Sequence, residues 1–342
     1  MRYFEAITAD LVWQEAVSDL IGYPEHRSVG RNGMTYEALS CVLKIKDPRQ
    51  RWILSRRPPY NPAFGLVDFV WMITGNNESR VLNYWNPALP HYAGSENVYH
   101  GAYGFRLRNE FGLDQIKRSY QILSNAPQTR QVILQIWKPE KDLPASDGQP
   151  VSMDIPCNVM SLLKLRDGRL HWSQIMRSND IMRGLPYNII QFTMLQEAMA
   201  GWLGAEPGDY IHLSDSLHVY EKDLSEFSCV PTQPKSSARE PFSLSYEESN
   251  VLFRRIYDDL AQVSSGKKAE DELWEVFGRD SRRNMGRGEL IRDMMVVIGS
   301  DAARRQNYTN LAYHLVDSCV DLNLKMASYA WLEYWEGKNE RH

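Results

Sequence analysis

The sequence predicts an α/β chain, because strand-like and helix-like segments both occur and occupy different stretches. Residues 159–176 form two apolar runs that flank Asp167-Gly168, a pair typical of the tight turn in a β-hairpin. Residues 187–203 carry apolar side chains at helical spacing, and from residue 245 onward the pattern is mostly helical. We therefore expect a strand-containing body followed by a helical C-terminal part.

Upstream of the hairpin, residues 1–125 mix short helical and strand-like runs. The run from Phe69 to Ile73 is apolar and is closed by a polar Thr-Gly-Asn-Asn stretch. Residues 132–137 are expected to form a buried strand, and the polar residues 138–149 are expected to form a loop.

Downstream of the hairpin, residues 211–213 predict another strand, and the Pro- and Ser-rich stretch 231–241 predicts a linker. The predicted C-terminal helices share helical apolar spacing and cover 246–263, 269–277, 288–298 and 306–335. The last of them has a stripe typical of a buried core: Tyr308, Leu311, Leu315, Cys319 and Leu322. We expect two parts, residues 1–241 and a helical extension 242–342 that packs on the first part or continues it.

Composition narrows the function classes. With 342 residues, 43% of them hydrophobic, the chain can bury a large core. A net charge of −4 and a pI near 6.1 argue against a nucleic-acid binder, which normally carries a basic excess. An anionic small molecule stays a candidate ligand, because a local group of arginines can bind it within an acidic protein.

Cysteine usage and the N-terminus predict a cytoplasmic protein. The four cysteines include no C-x-x-C pair, so neither a metal site nor a redox dithiol is expected. Isolated cysteines in a long chain fit a reducing compartment. The N-terminus lacks the apolar core of a signal peptide, and no uncharged run is long enough to span a membrane.

Short motifs in the middle of the chain carry the functional signal. Cys157 is the candidate nucleophile, and a cysteine reacts through its thiolate, which a nearby guanidinium such as that of Arg177 favours. The hairpin would fold Arg177 back beside Cys157. The motifs follow in this order: Pro156-Cys157-Asn158, Arg177-Ser178-Asn179-Asp180, Gly184-Leu185-Pro186-Tyr187-Asn188 and His218-Val219-Tyr220.

Each residue also has a structural interpretation when taken alone. Cys157 could be an inert core cysteine, Arg177 a surface ion-pair partner, and Asp180 the start of a helical turn. Asn188 could cap a helix, and the His218–Tyr220 pair, which would share one face of a strand, could be a packing pair. Their joint order favours a site in which a thiol attacks a phosphorylated heterocycle.

Taken together, these motifs resemble the thymidylate synthase family, with the highest similarity over residues 156–220. The run from Asp68 to Gly75 resembles the family's Glu-x-x-Trp-x-x-x-Gly helix, and Tyr103-Gly104 resembles its Tyr-Gly turn. Residues 128–131 resemble the segment that supplies arginines to the neighbouring subunit. Arg27 resembles the family's N-terminal phosphate-binding arginine, with Arg31 as a competing candidate.

The resemblance implies a fold and a reaction. The fold would be a mixed sheet with surrounding helices, in a homodimer joined sheet to sheet, with residues 1–241 as the catalytic domain. The reaction would be a one-carbon transfer from 5,10-methylenetetrahydrofolate to C5 of a pyrimidine nucleoside monophosphate, without a metal. Cys157 would add to C6 of the base and make C5 electron-rich.

The resemblance also assigns roles to the other motif residues. Asp68 and Tyr103 would transfer protons, and Asn158 would lie near the exocyclic group of the base. Asp180 and Gly184 would bind folate. The residues expected to bind the nucleotide are Arg27, Arg177, Ser178 and, from the other subunit, Arg130 at the phosphate, Asn188 at the base edge, and His218 and Tyr220 at the sugar.

Departures from the family pattern point to a hydroxymethylase. Asn158 replaces the usual histidine, Asp68 the longer glutamate, and Gln131 the second phosphate arginine. The tryptophan-rich segment that shields the exocyclic methylene has no clear match in residues 89–92, and a long helical extension replaces the short apolar tail. A less shielded methylene would react with water rather than be reduced by hydride, which would give a hydroxymethylated dCMP, dUMP or CMP.

Several alternatives remain open at this stage. Asn188 favours uracil as the base, although a cytosine nucleotide and a ribose sugar both stay candidates. The chain could instead be a thymidylate synthase with an altered tail, or a non-catalytic nucleotide-binding protein on the same fold. A cysteine hydrolase built on Cys157, a histidine and Asn158 has no other feature in its favour.

Overall fold

Eight strands form one mixed sheet, in a computed structural model that describes residues 1–235, 240–279 and 288–339. The sheet order is β1-β3-β9-β7-β6-β5, with β2 beside β3 and β8 beside β9, while β4 and β10 pair separately. The strands are β1 (Arg2–Ala6), β2 (His26–Gly30), β3 (Gly33–Ile45), β4 (Arg56–Arg57), β5 (Ile133–Gln135), β6 (Asn158–Arg166), β7 (Arg169–Met176), β8 (Asn179–Asp180), β9 (Glu206–Tyr220) and β10 (Ser228–Cys229).

Helices cover the sheet and make up most of the C-terminal part, which confirms the predicted α/β class. They are α1 (Ala9–Gly22), α2 (Pro62–Ile73), α3 (Ser79–Trp85), α4 (Pro90–Ala93), α5 (Tyr103–Phe105), α6 (Gln115–Asn125), α7 (Pro139–Asp142), α8 (Leu185–Trp202), α9 (Tyr246–Val263), α10 (Glu270–Leu273), α11 (Glu289–Arg305), α12 (Thr309–Asp317) and α13 (Leu322–Asn339). Short π-helices follow α5 and α10, and a 3₁₀ turn follows β9.

The predicted central hairpin is confirmed. Strands β6 and β7 pair antiparallel, with Leu165 opposite Leu170 next to the turn. Asp167 and Gly168 both have positive φ, at 50° and 70°, as the two central residues of such a turn require. Strand β7 then runs parallel to β9, so the start of β6 and the end of β7 lie beside Ser214, within β9.

Helix α8 forms the centre of the core. Almost every residue in it is buried, from Leu185 to Trp202, which explains why its apolar residues are not confined to one stripe. Helix α2 packs against it and is buried along its whole length. Asn61 caps α2 by accepting the backbone N–H of Phe64, and Pro62 occupies the first turn.

The C-terminal helices share the core of the strand-containing part. Phe253 of α9 packs edge-on against Phe69 of α2 with ring centroids 5.4 Å apart. Trp52 donates its indole N–H to Asp321 at 2.8 Å, and Trp202 donates to Ser249 at 2.9 Å. Helix α9 spans the residues predicted for it, while the boundary at 241/242 stays a prediction.

The single helix predicted over 306–335 is wrong, because the chain breaks between α12 and α13. Asp293 accepts the backbone N–H groups of Val320 and Asp321, each at 2.8 Å. Asp321 in turn accepts those of Asn323 and Leu324, which starts α13 anew. These contacts between distant residues override the local helical spacing, so the predicted stripe is divided between two helices.

Two upstream predictions also need correction. The strand expected over 132–137 is limited to β5, and the loop expected over 138–149 contains α7. Asp142 explains the second difference, because it is buried and forms a two-bond ion pair with Arg106, at 2.9 and 3.0 Å. Of the linker predicted over 231–241, residues 236–239 lie outside the described residues. No helix among the described residues combines the length and apolarity needed to cross a bilayer.

Candidate active site

The thiol of Cys157 lies beside a guanidinium at the start of β6. The hairpin brings Arg177 back to it, so that the Arg177 backbone N–H donates to the Cys157 carbonyl at 2.9 Å. The Arg177 side chain places Nη2 3.9 Å from Sγ and donates to the carbonyls of Pro156 and Ile155 at 3.0 and 3.2 Å. Cys157 is half-buried rather than enclosed in the core.

Opposing effects act on the pKa of this thiol. Burial raises the pKa of Cys157, and Arg177 opposes that rise because it favours the thiolate. Asp154 also raises the pKa, whereas Arg31 lowers it. The thiol therefore needs its cationic neighbours to reach the reactive form near neutral pH.

Four polar side chains form a hydrogen-bonded chain across the site, which we call the amide relay: Asp68, Gln191, Asn188 and Asn179. Gln191 donates to Asp68 at 2.7 Å, and Asn188 donates to Gln191 at 3.0 Å. Asn179 donates to Oδ1 of Asn188 at 2.8 Å. The relay fixes the orientation of the Asn188 amide, because both the oxygen and the nitrogen of that amide have a hydrogen-bond partner.

Asp68 is the titratable end of the amide relay. Burial raises the pKa of Asp68 to about 7, and the hydrogen bond from Gln191 limits the rise. The carboxyl is thus close to half-protonated at neutral pH, which suits a group that both gives and takes a proton.

Tyr103 and Asn158 lie close to the thiol. The pKa of Tyr103 is raised by burial and by the negative charge that Cys157 can carry, and is lowered by Asn158. Gln174 donates to Oδ1 of Asn158 at 2.7 Å, and it is a hydrogen bond from the Asn158 side chain that lowers the pKa of Tyr103. The buried Asn158 amide therefore connects Tyr103 to Gln174 of β7.

A close backbone approach positions Tyr103. A Cβ on Gly104 would lie 2.0 Å from the carbonyl oxygen of Met72, so only glycine allows α5 to pack this tightly on the end of α2. Asp68 lies on the same helix α2. The two proton-transfer candidates therefore belong to elements whose backbones touch.

The motif after β7 forms a second polar group. Ser178 Oγ lies 3.5 Å from Nδ1 of His218, and the rings of His218 and Tyr220 meet edge to face with centroids 5.6 Å apart. Asp180 Oδ1 accepts the backbone N–H groups of Met182 and Arg183, both at 2.9 Å. Burial raises the pKa of Asp180, and its second carboxyl oxygen makes no hydrogen bond within the described residues.

The structure does not bring Arg27 to the site. Arg27 of β2 pairs with Tyr36 of β3, and Tyr36 pairs with Val219 of β9, so these three side chains share one face of the sheet. His218 and Tyr220 lie on either side of Val219 in β9 and therefore point to the other face. The Arg27 guanidinium accordingly donates to Tyr36 at 2.7 Å and pairs with Glu221 at 3.2 Å. The assignment of Arg27 as the phosphate arginine is therefore not supported by this geometry.

Arg31 lies nearer to the site than Arg27 does. It lies in the turn between β2 and β3 and donates to the carbonyl of Tyr92 at 2.9 Å. Burial raises the pKa values of Cys157 and Tyr220, and the charge of Arg31 opposes both rises. Arg130 is exposed in the segment between α6 and β5.

Sequence reasoning missed several residues of the site. Gln191 lies three positions after Asn188 on α8, so helical spacing could have revealed it. Asn179 sits between two assigned residues. Asp154 and Gln174 had no local signal: Asp154 accepts the backbone N–H of Gly101 at 2.7 Å, and Gln174 joins the site across the sheet.

Comparisons with known proteins agree with this geometry. The family model described as thymidylate synthase matches residues 63–263. A protein named deoxyuridylate hydroxymethyltransferase from Bacillus phage SP01 is 33% identical over 198 residues, covering 55% of this chain and 51% of that protein. One of the same name from Pseudomonas phage M6 is 30% identical over 203 residues, covering 58% and 56%. The chain thus spans about half the length of these two relatives.

A third relative is covered almost completely. A Methanothermobacter thermautotrophicus protein with the provisional name thymidylate synthase is 32% identical over 224 residues, covering 63% of this chain and 91% of that protein.

Proposed function

This chain belongs to the thymidylate synthase family, and from that premise we propose that it transfers a one-carbon unit to C5 of a pyrimidine nucleoside monophosphate. We propose further that the product is hydroxymethylated and that deoxyuridylate is the substrate. The observation that carries the proposal is the half-buried Cys157 thiol 3.9 Å from the Arg177 guanidinium, at one end of a site whose amide relay ends in Asp68.

Cys157 starts the reaction in this proposal. Its thiolate forms a bond to C6, and the electron pair of the C5–C6 double bond moves towards O4 and makes C5 nucleophilic. Arg177 stabilises the thiolate before attack and can also hold the 5′-phosphate. Ser178, His218 and Tyr220 are proposed to bind the phosphate and sugar, with Arg31 in place of Arg27.

Methylenetetrahydrofolate would supply an electrophilic one-carbon group to C5. Asp180 fits a folate ring, because its second carboxyl oxygen is left for an N–H donor. Gly184 is proposed to lie near the folate because it precedes α8 directly, four residues after Asp180.

Asp68 and Tyr103 are proposed to move protons. The exocyclic methylene forms when the C5 proton passes to a base and the bond between the transferred carbon and tetrahydrofolate breaks, so that tetrahydrofolate leaves. A carboxyl with a pKa of about 7 can accept that proton. Water then adds to the methylene, its proton goes to a base, and expulsion of the Cys157 thiolate restores the C5–C6 double bond. The Asn158 amide, which hydrogen-bonds the Tyr103 phenol, is proposed to help position this water.

Support for water addition comes from the segment that would otherwise shield the methylene. It contains α4, where Tyr92 is 39% exposed, and it includes no tryptophan between residues 86 and 99. Two relatives named as deoxyuridylate hydroxymethyltransferases favour the same product and base. The amide relay supports uracil, because it orients the Asn188 amide as a reader with both a donor and an acceptor.

The test is to incubate the protein with labelled methylenetetrahydrofolate and dUMP, dCMP or CMP, and to identify the product by mass. We expect hydroxymethyl-dUMP and tetrahydrofolate. A methylated product formed together with dihydrofolate would instead show a thymidylate synthase.

Cys157→Ala should bind nucleotide but release no tritium from C5. Absence of C5 exchange in the unmutated protein would indicate a non-catalytic nucleotide binder.

Base choice has its own test. Asn188→Asp should shift relative turnover from dUMP towards dCMP, because an ionised carboxylate only accepts hydrogen bonds, which suits the amino group of cytosine and not O4 of uracil. An unchanged ratio of the two turnover rates would contradict the role of Asn188 as base reader.

We also propose a homodimer in which Arg130 reaches the partner's phosphate site. Mixing the inactive variants Cys157→Ala and Arg130→Ala should restore activity, because each mixed dimer would contain one site with both residues intact. Failure to recover activity, with mixed dimers shown to form, would place Arg130 outside the site.

A further inference from the structure

The proposed reaction releases two protons in the active site, and Asp68 accounts for one of them. One proton leaves C5 when the exocyclic methylene forms, and the other leaves the water that adds to that methylene. These two protons match the two N–H bonds that tetrahydrofolate gains when methylenetetrahydrofolate gives up its carbon. A second base beside the methylene would let water add before Asp68 has lost the C5 proton.

Asp154 is a half-buried carboxylate near the thiol, and the mechanism above leaves it without a role. It lies three residues before Cys157 in the chain. Burial is the main cause of the raised pKa values of Cys157 and Tyr103, and the negative charge of Asp154 adds to both. The carboxylate therefore acts electrostatically on the proposed nucleophile and on the phenol beside it.

The segment from Asp154 to Cys157 is held from two sides. Oδ2 of Asp154 accepts the backbone N–H of Gly101 at 2.7 Å, and Arg177 donates to the two carbonyls between Asp154 and Cys157, at 3.0 and 3.2 Å. A Cβ on Gly101 would lie 2.9 Å from the Asp154 carbonyl oxygen, so a glycine is needed for this close approach. Since Tyr103 follows Gly101 by two residues, these contacts position the carboxylate relative to both the thiol and the phenol.

Two other carboxylates near the site are already committed. Oδ1 of Asp180 accepts two backbone N–H groups, and its second oxygen is proposed to bind the folate ring. Both oxygens of Asp142 accept from Arg106, at 2.9 and 3.0 Å. By contrast, within the described residues only Oδ2 of Asp154 has a hydrogen bond, so Oδ1 is left for a water molecule.

The charges around Asp154 leave it without an ion pair among the described residues. Burial raises the pKa of its carboxyl, while its hydrogen bond from a backbone N–H and the charges of His100, Arg106 and Arg31 oppose that rise. His100 and Arg106 are themselves bound to Asp142, each at 2.9 Å, so neither pairs with Asp154 directly. A carboxylate that no cation holds accepts a proton more readily than a paired one.

We propose that Asp154 is the base that takes the proton from the water as it adds to the exocyclic methylene, an inference that rests on the proposed function. The water oxygen forms a bond to the methylene carbon, the electron pair of the exocyclic double bond moves into the ring towards O4, and one water proton passes to Oδ1 of Asp154. Return of that electron pair restores the C5–C6 double bond and expels the Cys157 thiolate. Asp154 then gives its proton to solvent, which balances the proton that methylenetetrahydrofolate takes up when its ring opens.

Asp154→Asn tests this role, because asparagine keeps an oxygen for the Gly101 N–H but does not take up a proton. In a single turnover with protein in excess over tritiated dUMP, tritium release from C5 should stay close to that of the unmutated protein. Formation of hydroxymethyl-dUMP should fall about 10²-fold, the effect of losing a general base. Added 2-mercaptoethanol should then capture the waiting methylene as a thioether, detected by mass, because a thiolate needs no base to add.

Asp147→Asn is the matched control. Asp147 also accepts a backbone N–H, from Gln149 at 2.9 Å, but it is exposed to solvent. Its substitution should change neither tritium release nor product formation. Equal loss of tritium release and of product in Asp154→Asn would show that the carboxylate only supports the structure, and that result would overturn the proposal.

The unmutated protein separates failure of this role from failure of the proposed reaction. If it forms no hydroxymethyl-dUMP, the proposed function is wrong, and the role of Asp154 in water addition is wrong with it. If it forms hydroxymethyl-dUMP and Asp154→Asn forms that product equally fast, only the role of Asp154 is wrong.

Discussion

Asp68 in the amide relay and Asp301 in α11 are both buried aspartates that accept a hydrogen bond from a side-chain amide. The pKa of Asp68 is raised to about 7 by burial, and the hydrogen bond from Gln191 opposes that rise. Burial acts on Asp301 too, but the guanidiniums of Arg305 and Arg304 outweigh it and lower its pKa. The same side chain can therefore exchange a proton near neutral pH in one region and stays an anion in the other.

The difference distinguishes charged groups near the candidate active site from charged groups that stabilise the fold. Beside Cys157, Arg177 makes no ion pair with any described residue: it donates to neutral carbonyls and faces the thiol. Among the C-terminal helices the charge on Asp301 is neutralised by two cations. A buried charge without an ion pair is costly, and such groups concentrate where reactivity needs them.

The largest effect on activity should follow from removing the Arg177 guanidinium. Arg177→Ala should lower kcat/KM by about 10³-fold, or about 4 kcal/mol, because both the thiolate and the substrate phosphate lose a charge-assisted partner. Steady-state kinetics measures this, and alkylation of Cys157 over a pH series should show a raised thiol pKa. Arg169→Ala, at an exposed position in the hairpin, is the control; an unchanged thiol pKa would contradict the link.

Removing the Asp301 carboxylate, which pairs with two guanidinium groups, should lower the stability of the protein. Asp301→Asn should lower the free energy of unfolding by about 3 kcal/mol, because two guanidiniums lose their shared partner. Since the folded-state pKa of Asp301 is lowered, its contribution is fully present above the unfolded-state pKa and is lost as pH falls through the folded-state value. Denaturant unfolding at neutral and acidic pH would check this, and equal stability of both proteins at neutral pH would refute it.

Asp68→Asn should have the opposite effect on stability and should reduce activity. Because its folded-state pKa is raised to about 7, Asp68 makes the protein less stable as pH rises from the unfolded-state pKa towards 7. The variant should therefore be more stable above pH 7, by about 1 to 2 kcal/mol. It should lose about 10²-fold in kcat/KM, together with the inflection near pH 7 in the pH–rate profile. A variant that keeps this inflection would show that another group produces it.

The smallest effect distinguishes the two N-terminal arginines. Arg31→Ala should raise the KM for the nucleotide about 10-fold, and Arg27→Ala should change it little, because Arg27 pairs with Glu221 on the other face of the sheet. Equal effects of the two substitutions would show that β2 and its turn rearrange when the nucleotide binds.

Local signals predicted the parts of the molecule that local contacts determine. The Asp167-Gly168 turn fixed the hairpin, and with it the meeting of Cys157 and Arg177, while two-residue spacing put His218 and Tyr220 on one face. The family resemblance supplied the sheet architecture, which no local pattern specified.

Long-range contacts account for what was missed. The break after α12 depends on Asp293, which lies almost thirty residues upstream of the N–H groups it accepts. Arg27 was assigned from its position in the chain, but the pairing register of β2 with β3 decides which face it occupies. The pKa of Asp68 depends on packing around α2 rather than on its neighbours in sequence.

The close contact between Gly104 and the Met72 carbonyl limits which substitutions this site can accept during evolution. Any larger residue there would push the turn outward and carry the Tyr103 phenol away from the carboxyl on the adjoining helix. The spacing of these two groups is thus controlled from a position that touches no substrate. A substitution that alters this one contact would therefore be a simple route to a larger active site.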